Sequence, residues 1–306
     1  MRLKPMPTFY EWILPVILFP FICGLSSDNL RSASGDKSKK CAVFTVTRNE
    51  AIMLPIWIRY YAKYFDFEDM WILDHESTDG STANLKIPDG LNVTILHGDS
   101  SFMPHRFLIK SVERHQSFLL KTLGYGCAIF SETDEIIVAD PAIYPGGLEN
   151  FLVDFIHNKS LTIMRTEGRE LIQDESEIPL RWNDNILSQR RFWGISPAFS
   201  KTYLSKVPLH YMPGFHHLKH GADPEVNPSL KLLHLHFADT SYCLVREIHK
   251  HVESVKMHKE EAGLGAHFST KFDELQKKPG GVCNASNVLK HFRAEQMSAR
   301  WNKVPI

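Results

Sequence analysis

Apolar and polar segments alternate along the first half of the chain in a pattern typical of alternating strands and helices. Residues 41–47 and 70–73 are short apolar runs that end in polar turns, and an amphipathic stretch over 52–65 separates them. A second amphipathic stretch, 108–123, also follows helical spacing. Because helices alternate with strands, we expect an α/β fold with a doubly wound, mostly parallel sheet and helices on both faces.

Three carboxylates interrupt the apolar pattern. The apolar run 127–130 is followed by Glu132, Asp134 and Glu135, in what we call the acidic segment (131–135). Clustered carboxylates repel one another, and burying each of them costs several kcal/mol unless a cation or hydrogen bonds compensate. In an extended chain Glu132 and Asp134 share a face, which predicts half of a site for Mg²⁺ or Mn²⁺. The alternative is an acidic surface turn between two strands.

Four motifs, in this order, resemble the family 2 glycosyltransferases, in the branch with the signatures NEA…L.EW, D.S.DG and D.DEF. They are TRNEA at 47–51, LPIWIRYY at 54–61, LDHESTDGS at 73–81 and SETDE at 131–135. The resemblance covers roughly residues 41–250 and implies a GT-A-like fold. The chain departs from the family pattern at Glu132, where Asp is usual, and at Ile136, where Phe is usual. Glu still ligates hard cations, and Ile136 can pack in the core as the aromatic does.

The resemblance also implies roles for residues near the carboxyl ends of the strands, where ligands of doubly wound sheets bind. Thr47 and Glu50 correspond to residues that border the nucleotide, and Asp74 to the carboxylate that meets the base or ribose. The acidic segment corresponds to the motif that holds the cation against the diphosphate. Arg114 is a candidate for the phosphates, with an ordinary solvated helix surface as the alternative.

A histidine-rich region supplies candidates for a further metal ligand. In the apolar run 232–237, His234 and His236 share one face of a predicted strand. A histidine here resembles the late histidine that completes the cation site in many such transferases, and imidazole suits Mn²⁺ better than Mg²⁺. We favour His236 over His234, and His216 is a competing candidate. Histidines that only hydrogen-bond to the backbone are the alternative.

Inverting sugar transfer needs a general base that deprotonates the acceptor hydroxyl. Between the acidic segment and the histidine-rich region, the segments 165–170 and 173–177 carry several carboxylates. Asp174 is our first candidate for this base, and Glu167 is the second.

The composition is that of a globular protein, with 306 residues of which 43% are hydrophobic and 23% charged. The formal net charge is zero, and the basic residues are spread along the chain. Global electrostatics therefore gives no reason to expect nucleic acid as a partner. We expect one catalytic domain over residues 41–306.

Residues 1–40 have a different character. An apolar run at 12–25 contains two prolines, and residues 26–40 are polar without a hydrophobic period. The run is at the short end of the about 20 residues that span a bilayer. We expect a signal-anchor with a polar stem, which resembles the layout of Golgi transferases with a lumenal catalytic domain. The alternatives are a secretory signal peptide cleaved near 24–26, or a stray apolar terminus on a cytosolic protein.

Sequons at Asn92, Asn158 and Asn284 fit a secretory route and glycosylation. Of the five cysteines, Cys41 and Cys127 each open a predicted core strand. We expect them to be packed free thiols, because buried cysteine behaves as a small hydrophobe. The absence of a C-x-x-C spacing argues against a structural zinc site.

These patterns together predict a glycosyltransferase that moves a sugar from a nucleotide-sugar donor to a glycan, lipid or protein hydroxyl. We expect the reaction to be inverting and assisted by Mn²⁺ or Mg²⁺. Two other hypotheses use the same carboxylates. One is a metal-dependent hydrolase or nucleotidyltransferase, and the other is a catalytically degenerate GT-A-like protein that only binds glycans.

Overall fold

The structure is a computed structural model. The predicted apolar run at 12–25 and the sequon at Asn284 lie outside the residues that it describes. The described residues are 36–84, 88–97, 105–257, 283, 288 and 292–306. Within these ranges no helix is both long enough and apolar enough to cross a bilayer.

Ten strands form one sheet, and four α-helices are described. The strands are β1 (Cys41–Thr47), β2 (Met70–Asp74), β3 (Asn92–Ile95), β4 (Cys127–Phe130), β5 (Glu135–Ala139), β6 (Ile163–Ile172), β7 (Phe192–Ile195), β8 (Leu204–Ser205), β9 (Val226–His234) and β10 (Arg293–Gln296). The helices are α1 (Met53–Tyr61), α2 (His105–Ser117), α3 (Leu148–His157) and α4 (Thr240–Met257).

The first four strands form a doubly wound unit in the order β3-β2-β1-β4, with every pair parallel. Helix α1 connects β1 to β2, whereas α2 connects β3 back to β4 on the other side of β1. Right-handed crossovers in these opposite directions place α1 and α2 on opposite faces of the sheet. The predicted α/β fold with a doubly wound sheet is confirmed.

The second half of the sheet is mixed. Strand β8 pairs with both β4 and β6, and β7 joins β6 to β10, all in antiparallel pairs. Strand β9 lies parallel to β6 and antiparallel to β5. Beyond β4 the sheet therefore continues into strands from the second half of the chain. These strands bring residues of that half close to the end of β4.

Helix α1 packs its aromatic side against the strands that flank the acidic segment. The Tyr60 hydroxyl donates to the carbonyl oxygen of Ile137 at 2.7 Å, and the Tyr61 hydroxyl donates to Ser131 Oγ at 3.2 Å. Both tyrosines are fully buried, as is Ile136. Buried hydroxyls need such partners, so these bonds fix the acidic segment relative to α1.

Two disulfides join four of the five cysteines. Cys41 and Cys127 are bonded across β1 and β4, and Cys243 in α4 is bonded to Cys283. The expectation of free thiols at Cys41 and Cys127 was wrong, because the register of β1 and β4 places these residues directly opposite, with Cα atoms 4.4 Å apart. That separation lies within the range that a disulfide spans.

Alkylation of the unreduced, folded protein should therefore leave Cys41, Cys127, Cys243 and Cys283 unmodified. Mass spectrometry before and after reduction in denaturant measures this directly. Reduction with unfolding should make all four available for modification. Modification of any of the four in the unreduced, folded protein would contradict the pairing described here.

The surroundings of His115 predict that the free energy of unfolding decreases at acid pH. This residue lies on α2 with its ring centroid 5.0 Å from that of Phe44 and 5.2 Å from that of Trp71, and burial lowers its pKa to about 4. In the unfolded chain the pKa of this histidine is near 6.5. As the pH falls, the unfolded state is therefore protonated before the folded state. Stability should therefore fall by about 3 kcal/mol as the pH drops from 6.5 to 4.

His115→Phe should remove this part of the pH dependence, because phenylalanine keeps the ring and cannot be protonated. Urea unfolding at a series of pH values measures the effect. His97→Phe serves as the matched control, since the His97 side chain is 80% exposed. An unchanged slope between pH 6.5 and 4 in His115→Phe would contradict the assignment.

Candidate active site

The order of strands reverses between β1 and β4, and doubly wound sheets have a crevice outside the carboxyl ends of the strands at such a point. Ligands of doubly wound sheets bind at this position. The loop after β1, the loop after β2 and the acidic segment after β4 all begin here. The fold therefore brings three of the sequence motifs to one edge of the sheet.

Hydrogen bonds join the loops after β1 and β2 into one unit. Asn49, which adopts a left-handed backbone with φ 56°, accepts at Oδ1 from the backbone N–H of Thr78 at 2.8 Å. The N–H of Asn49 donates to Ser77 Oγ at 3.0 Å, and the N–H of Ala51 donates to Asp79 Oδ2 at 3.1 Å. The polar residues of both motifs thus hold the two loops together.

Asp74 holds the turn after β2. It is buried and accepts at Oδ1 from the N–H and hydroxyl of Ser77, at 3.0 and 2.6 Å, and at Oδ2 from the hydroxyl of Thr82 at 2.5 Å. Thr47 is buried at the end of β1, opposite Asp74 in the sheet register. The contact between Asp74 and a base or ribose stays a prediction.

Lys201 pairs with two carboxylates of the acidic segment. Its Nζ lies 2.8 Å from Glu132 Oε2 and 2.6 Å from Glu135 Oε1, and its side chain is almost fully buried. The hydroxyl of Tyr203 also donates to Glu132 Oε2, at 3.2 Å. The Glu132 side chain remains 36% exposed. Glu132 is therefore held from the protein side and reaches solvent on its other side.

His234 and Arg246 each join Asp134 to another carboxylate. The Nε2 and Nδ1 atoms of His234 lie 3.2 Å from Asp134 Oδ2 and 2.7 Å from Glu170 Oε2. Arg246, on α4, donates from Nη1 to Asp134 Oδ2 at 2.5 Å, and its Nη2 lies 2.9 Å from Glu50 Oε1. The guanidinium therefore connects the loop after β1 to the acidic segment.

These contacts form two neighbouring clusters, one around Lys201 and one around Asp134, and Asp134 and His234 also act on Glu132 through their charges. We call the two clusters together the charge network, in which every basic group is shared by two carboxylates. Its members are Glu50, Glu132, Asp134, Glu135, Glu170, Lys201, His234 and Arg246. The register of β5, β9 and β6 places Glu135, His234 and Glu170 side by side.

Burial and pairing set the protonation states in the network. Burial raises the pKa of Glu135 to about 7, and burial also raises the pKa of Glu170. Burial opposes the charge on His234, but Glu170 and Asp134 outweigh it and raise its pKa to about 10. His234 is therefore an imidazolium at neutral pH. An imidazolium donates from both nitrogens and has no lone pair for a metal.

The four predicted metal ligands do not form one donor set. Glu132 and Asp134 are paired with the basic groups of the network. His236 Nε2 lies 3.0 Å from Glu247 Oε1, and His216 Nδ1 lies 2.6 Å from the carbonyl oxygen of Ala198. Among the described residues, no three His, Cys, Asp or Glu side chains are arranged to hold a metal ion.

The predicted general bases hydrogen-bond away from the network. Asp174, in the turn after β6, accepts from the Ser176 hydroxyl at 2.5 Å and from Arg191 at 3.0 Å. Ser176 and then Arg191 lower its pKa. Glu167 lies within β6 and pairs with Arg169 and Lys231.

Sequence reasoning did not find four members of the network: Glu135 in this role, Glu170, Lys201 and Arg246. The last three belong to no motif and lie at least 64 residues from their partners along the chain. Arg114, the candidate phosphate ligand, is exposed on α2, and its contact with the phosphates stays a prediction. The alternation of acidic and basic groups arises only when the strands pair, so the sequence alone does not show it.

No protein-family model and no curated protein matches the chain. A mannosyltransferase from Pyrobaculum calidifontis, solved with GDP-Man and Mn²⁺, is 12% identical over 73% of this chain with a TM-score of 0.36. The chain spans 65% of the length of that protein.

A mannose-1-phosphate geranyltransferase from Thermus thermophilus is 10% identical over 76% of this chain and 68% of its own, with a TM-score of 0.29. Similarity at these levels assigns neither structure's activity to this protein.

Lys201→Met should destabilise the protein by about 3–5 kcal/mol, because it leaves Glu132 and buried Glu135 without their shared cation. Chemical denaturation at neutral pH measures the loss. Adding Glu135→Gln to Lys201→Met should recover part of the lost free energy of unfolding, since one uncompensated charge is then removed. Lys219→Met, at an exposed lysine, is the control and should have almost no effect. Equal stability of Lys201→Met and the parent would contradict a structural role for the network.

Proposed function

We propose that residues 41–306 form the catalytic domain of a nucleotide-sugar-dependent glycosyltransferase with a GT-A-like fold. It transfers a sugar, with inversion, to a hydroxyl of a glycan, lipid or protein. The observation that carries this proposal is the charge network at the point where the strand order reverses. The ordered motifs of the family 2 resemblance begin at the same edge of the sheet and support it.

The departing nucleoside diphosphate requires positive charge at the crevice. Arg246 joins Glu50 to Asp134 across the crevice, and its side chain is 17% exposed. A guanidinium carries five N–H donors in a planar fork that suits phosphate oxygens. We assign Arg246 to the diphosphate, and Lys201, which is buried behind Glu132, to holding that carboxylate in position.

The three basic groups offset most of the charge of the five carboxylates, so the network repels an incoming diphosphate less than five free carboxylates would. Burial raises the pKa of Glu135 to about 7, which removes part of its negative charge near neutral pH.

The family resemblance implies Mn²⁺ or Mg²⁺ beside the diphosphate, and the described arrangement does not fit such an ion. Asp134 Oδ2 already contacts two cationic groups, and Glu132 Oε2 contacts Lys201. A divalent ion at these oxygens would lie next to the same positive charges. We therefore assign no step of the reaction to a metal, and the experiment below includes Mn²⁺ as a variable.

Asp174 and Glu167 remain our proposals for the general base, in that order. A carboxylate with a lowered pKa, such as Asp174, is a weaker base than one near neutrality. An acceptor that displaced Arg191 from Asp174 would raise this pKa again, because the guanidinium is one of the groups that lower it.

We also propose that the domain works in the secretory pathway, in the Golgi lumen. Disulfides persist in oxidising compartments, so the pairs Cys41–Cys127 and Cys243–Cys283 support this location. The exposed sequon at Asn158 is the better glycosylation site. The side-chain amide of Asn92 already donates to the carbonyl oxygens of Glu68 and Met70.

The function is tested by incubating the full chain, in detergent, with a panel of nucleotide sugars with and without Mn²⁺. Thermal shift measures binding, and chromatography measures release of sugar and nucleoside diphosphate. We expect one nucleotide sugar to raise the melting temperature and to be slowly hydrolysed. Hydrolysis of other phosphoesters would favour the hydrolase hypothesis. Glycan binding without any nucleotide-sugar binding would favour the degenerate protein, and either result would overturn the proposal.

Asp134→Asn should lower kcat by about 100-fold or more, because it releases Arg246 from the position in which we expect it to meet the diphosphate. The change removes a charge with little change in volume, so circular dichroism should show a folded protein. Asp184→Asn, at an exposed carboxylate paired with Arg181, is the matched control and should keep full activity. Unchanged turnover in folded Asp134→Asn would refute this placement of the site.

A further inference from the structure

The segment that follows β8 has a strained backbone next to His216. Gly214 and Phe215 are consecutive residues in the left-handed region, with φ 79° and 59°. For a bulky residue such as Phe215 this conformation is strained, and it persists only where the surrounding packing fixes it. The buried Phe215 ring has its centroid 4.8 Å from that of Phe130 and 5.4 Å from that of Tyr211. Strain of this kind concentrates at functional sites, which directs attention to His216.

The ring of His216 is held as one tautomer. Its Nδ1 lies 2.6 Å from the carbonyl oxygen of Ala198. A carbonyl only accepts, so Nδ1 carries the proton, and Nε2 of the neutral ring keeps a lone pair. Burial first, and then Lys201, lower the pKa of His216 and keep the ring neutral at pH 7. The side chain is half-buried, and Nε2 has no hydrogen-bond partner among the described residues.

Two glycines make this arrangement possible. A Cβ at Gly214 would lie 2.7 Å from Cδ2 of His216, so a larger residue there would displace the ring. Gly168 on β6 seats the turn 196–200, which holds Ala198. The N–H of Ser196 donates to the carbonyl oxygen of Gly168 at 3.1 Å, and a Cβ at Gly168 would collide with the backbone of this turn. The position of the acceptor for His216 is therefore fixed by β6.

Phe199, in the same turn, connects His216 to the charge network. Its ring centroid is 5.9 Å from that of His216 and stacks on His234 at 3.9 Å. The Nζ of Lys201 lies 5.2 Å from the centroid of the same ring and 2.8 Å from Glu132 Oε2. The charges of Lys201 and Glu132 both act on His216. His216 therefore stands at the same edge of the network as the partly exposed carboxylate of Glu132.

We propose that His216 is a specificity-determining residue whose Nε2 accepts a hydrogen bond from a hydroxyl of the donor sugar. The groups that reach solvent at this edge, Nε2 of His216 and the carboxylate of Glu132, are both acceptors. A ligand that matches them must supply donors, as the hydroxyls of a sugar do. This inference rests on the proposed function, since it names the part of the same nucleotide sugar that is recognised.

The order of elements along the sheet points to the sugar rather than the nucleoside. Arg246, which we assign to the diphosphate, joins the loop after β1 to the acidic segment after β4. The family resemblance places the nucleoside over β1 and β2. The turn 196–200 lies on the other side, because β6 follows β4 and β8 in the sheet. A sugar joined to the diphosphate at Arg246 therefore extends towards Phe199 and His216.

The test is calorimetric binding to the full chain, in detergent, of UDP-glucose, UDP-galactose, UDP-N-acetylglucosamine and GDP-mannose, with UDP and GDP as references that lack a sugar. His216→Asn keeps an N–H that can donate to Ala198 and removes the acceptor at Nε2. We expect it to weaken binding of the preferred nucleotide sugar by about five- to tenfold and to change the affinity for its nucleoside diphosphate by less than about twofold.

Two further variants separate recognition from a structural role. His216→Gln places an amide oxygen near the position of Nε2, so it should retain most of the affinity for the nucleotide sugar. His220→Asn, at an exposed histidine of the same segment, is the matched control and should bind as the parent does. Circular dichroism and thermal unfolding show whether each variant is folded.

Nucleotide sugars that lack a single hydroxyl give a second readout, which begins with the parent protein. Removal of one particular hydroxyl should weaken binding to the parent about as much as His216→Asn does, and should have almost no further effect in that variant. Unchanged affinity for the nucleotide sugar in folded His216→Asn would overturn the proposal. An equal loss for the nucleoside diphosphate, or a loss that appears only with Mn²⁺, would overturn it as well. Absence of affinity for every nucleotide sugar and nucleoside diphosphate would instead show that the proposed function itself is wrong.

Discussion

The site depends on the sharing of each buried cation between two carboxylates. Lys201, His234 and Arg246 each contact two acidic side chains, and those side chains come from β5, β6 and the loops after β1 and β4. Removing water from isolated carboxylates is costly, so the approach of the strands costs much less when the cations arrive with them. Assembly of the second half of the sheet and neutralisation of the acidic segment are therefore energetically coupled.

The alternation of apolar runs with amphipathic stretches was enough to predict the doubly wound unit. Strands β1, β2 and β4 and helices α1 and α2 form where the hydrophobic periods place them. The antiparallel strands of the second half were harder to predict from the sequence, because β8 is only two residues long and β6 pairs with three different strands. Short segments of this kind carry little periodic signal, and their pairing is decided by partners that are distant in sequence.

The candidate site was predictable in its location and less so in its chemistry. Clustering of Glu132 and Asp134 predicted half of a Mg²⁺ or Mn²⁺ site, and the structure places Lys201, His234 and Arg246 at hydrogen-bonding distance from these carboxylates. The sequence carries no local sign of these partners, because a lone lysine or arginine resembles any solvated one. The disulfide at Cys41 was missed for a similar reason, since it requires the register of β1 with β4.

That disulfide also changes how the chain behaves when it is cut. It joins cysteines 86 positions apart and so closes a covalent ring around α1, β2, β3 and α2, with its bond at the amino ends of β1 and β4. A protease that cleaves once inside this ring severs the backbone without releasing a fragment. Both halves of the parallel sheet would stay attached to each other and to the site, so a nicked protein keeps a route back to the folded state.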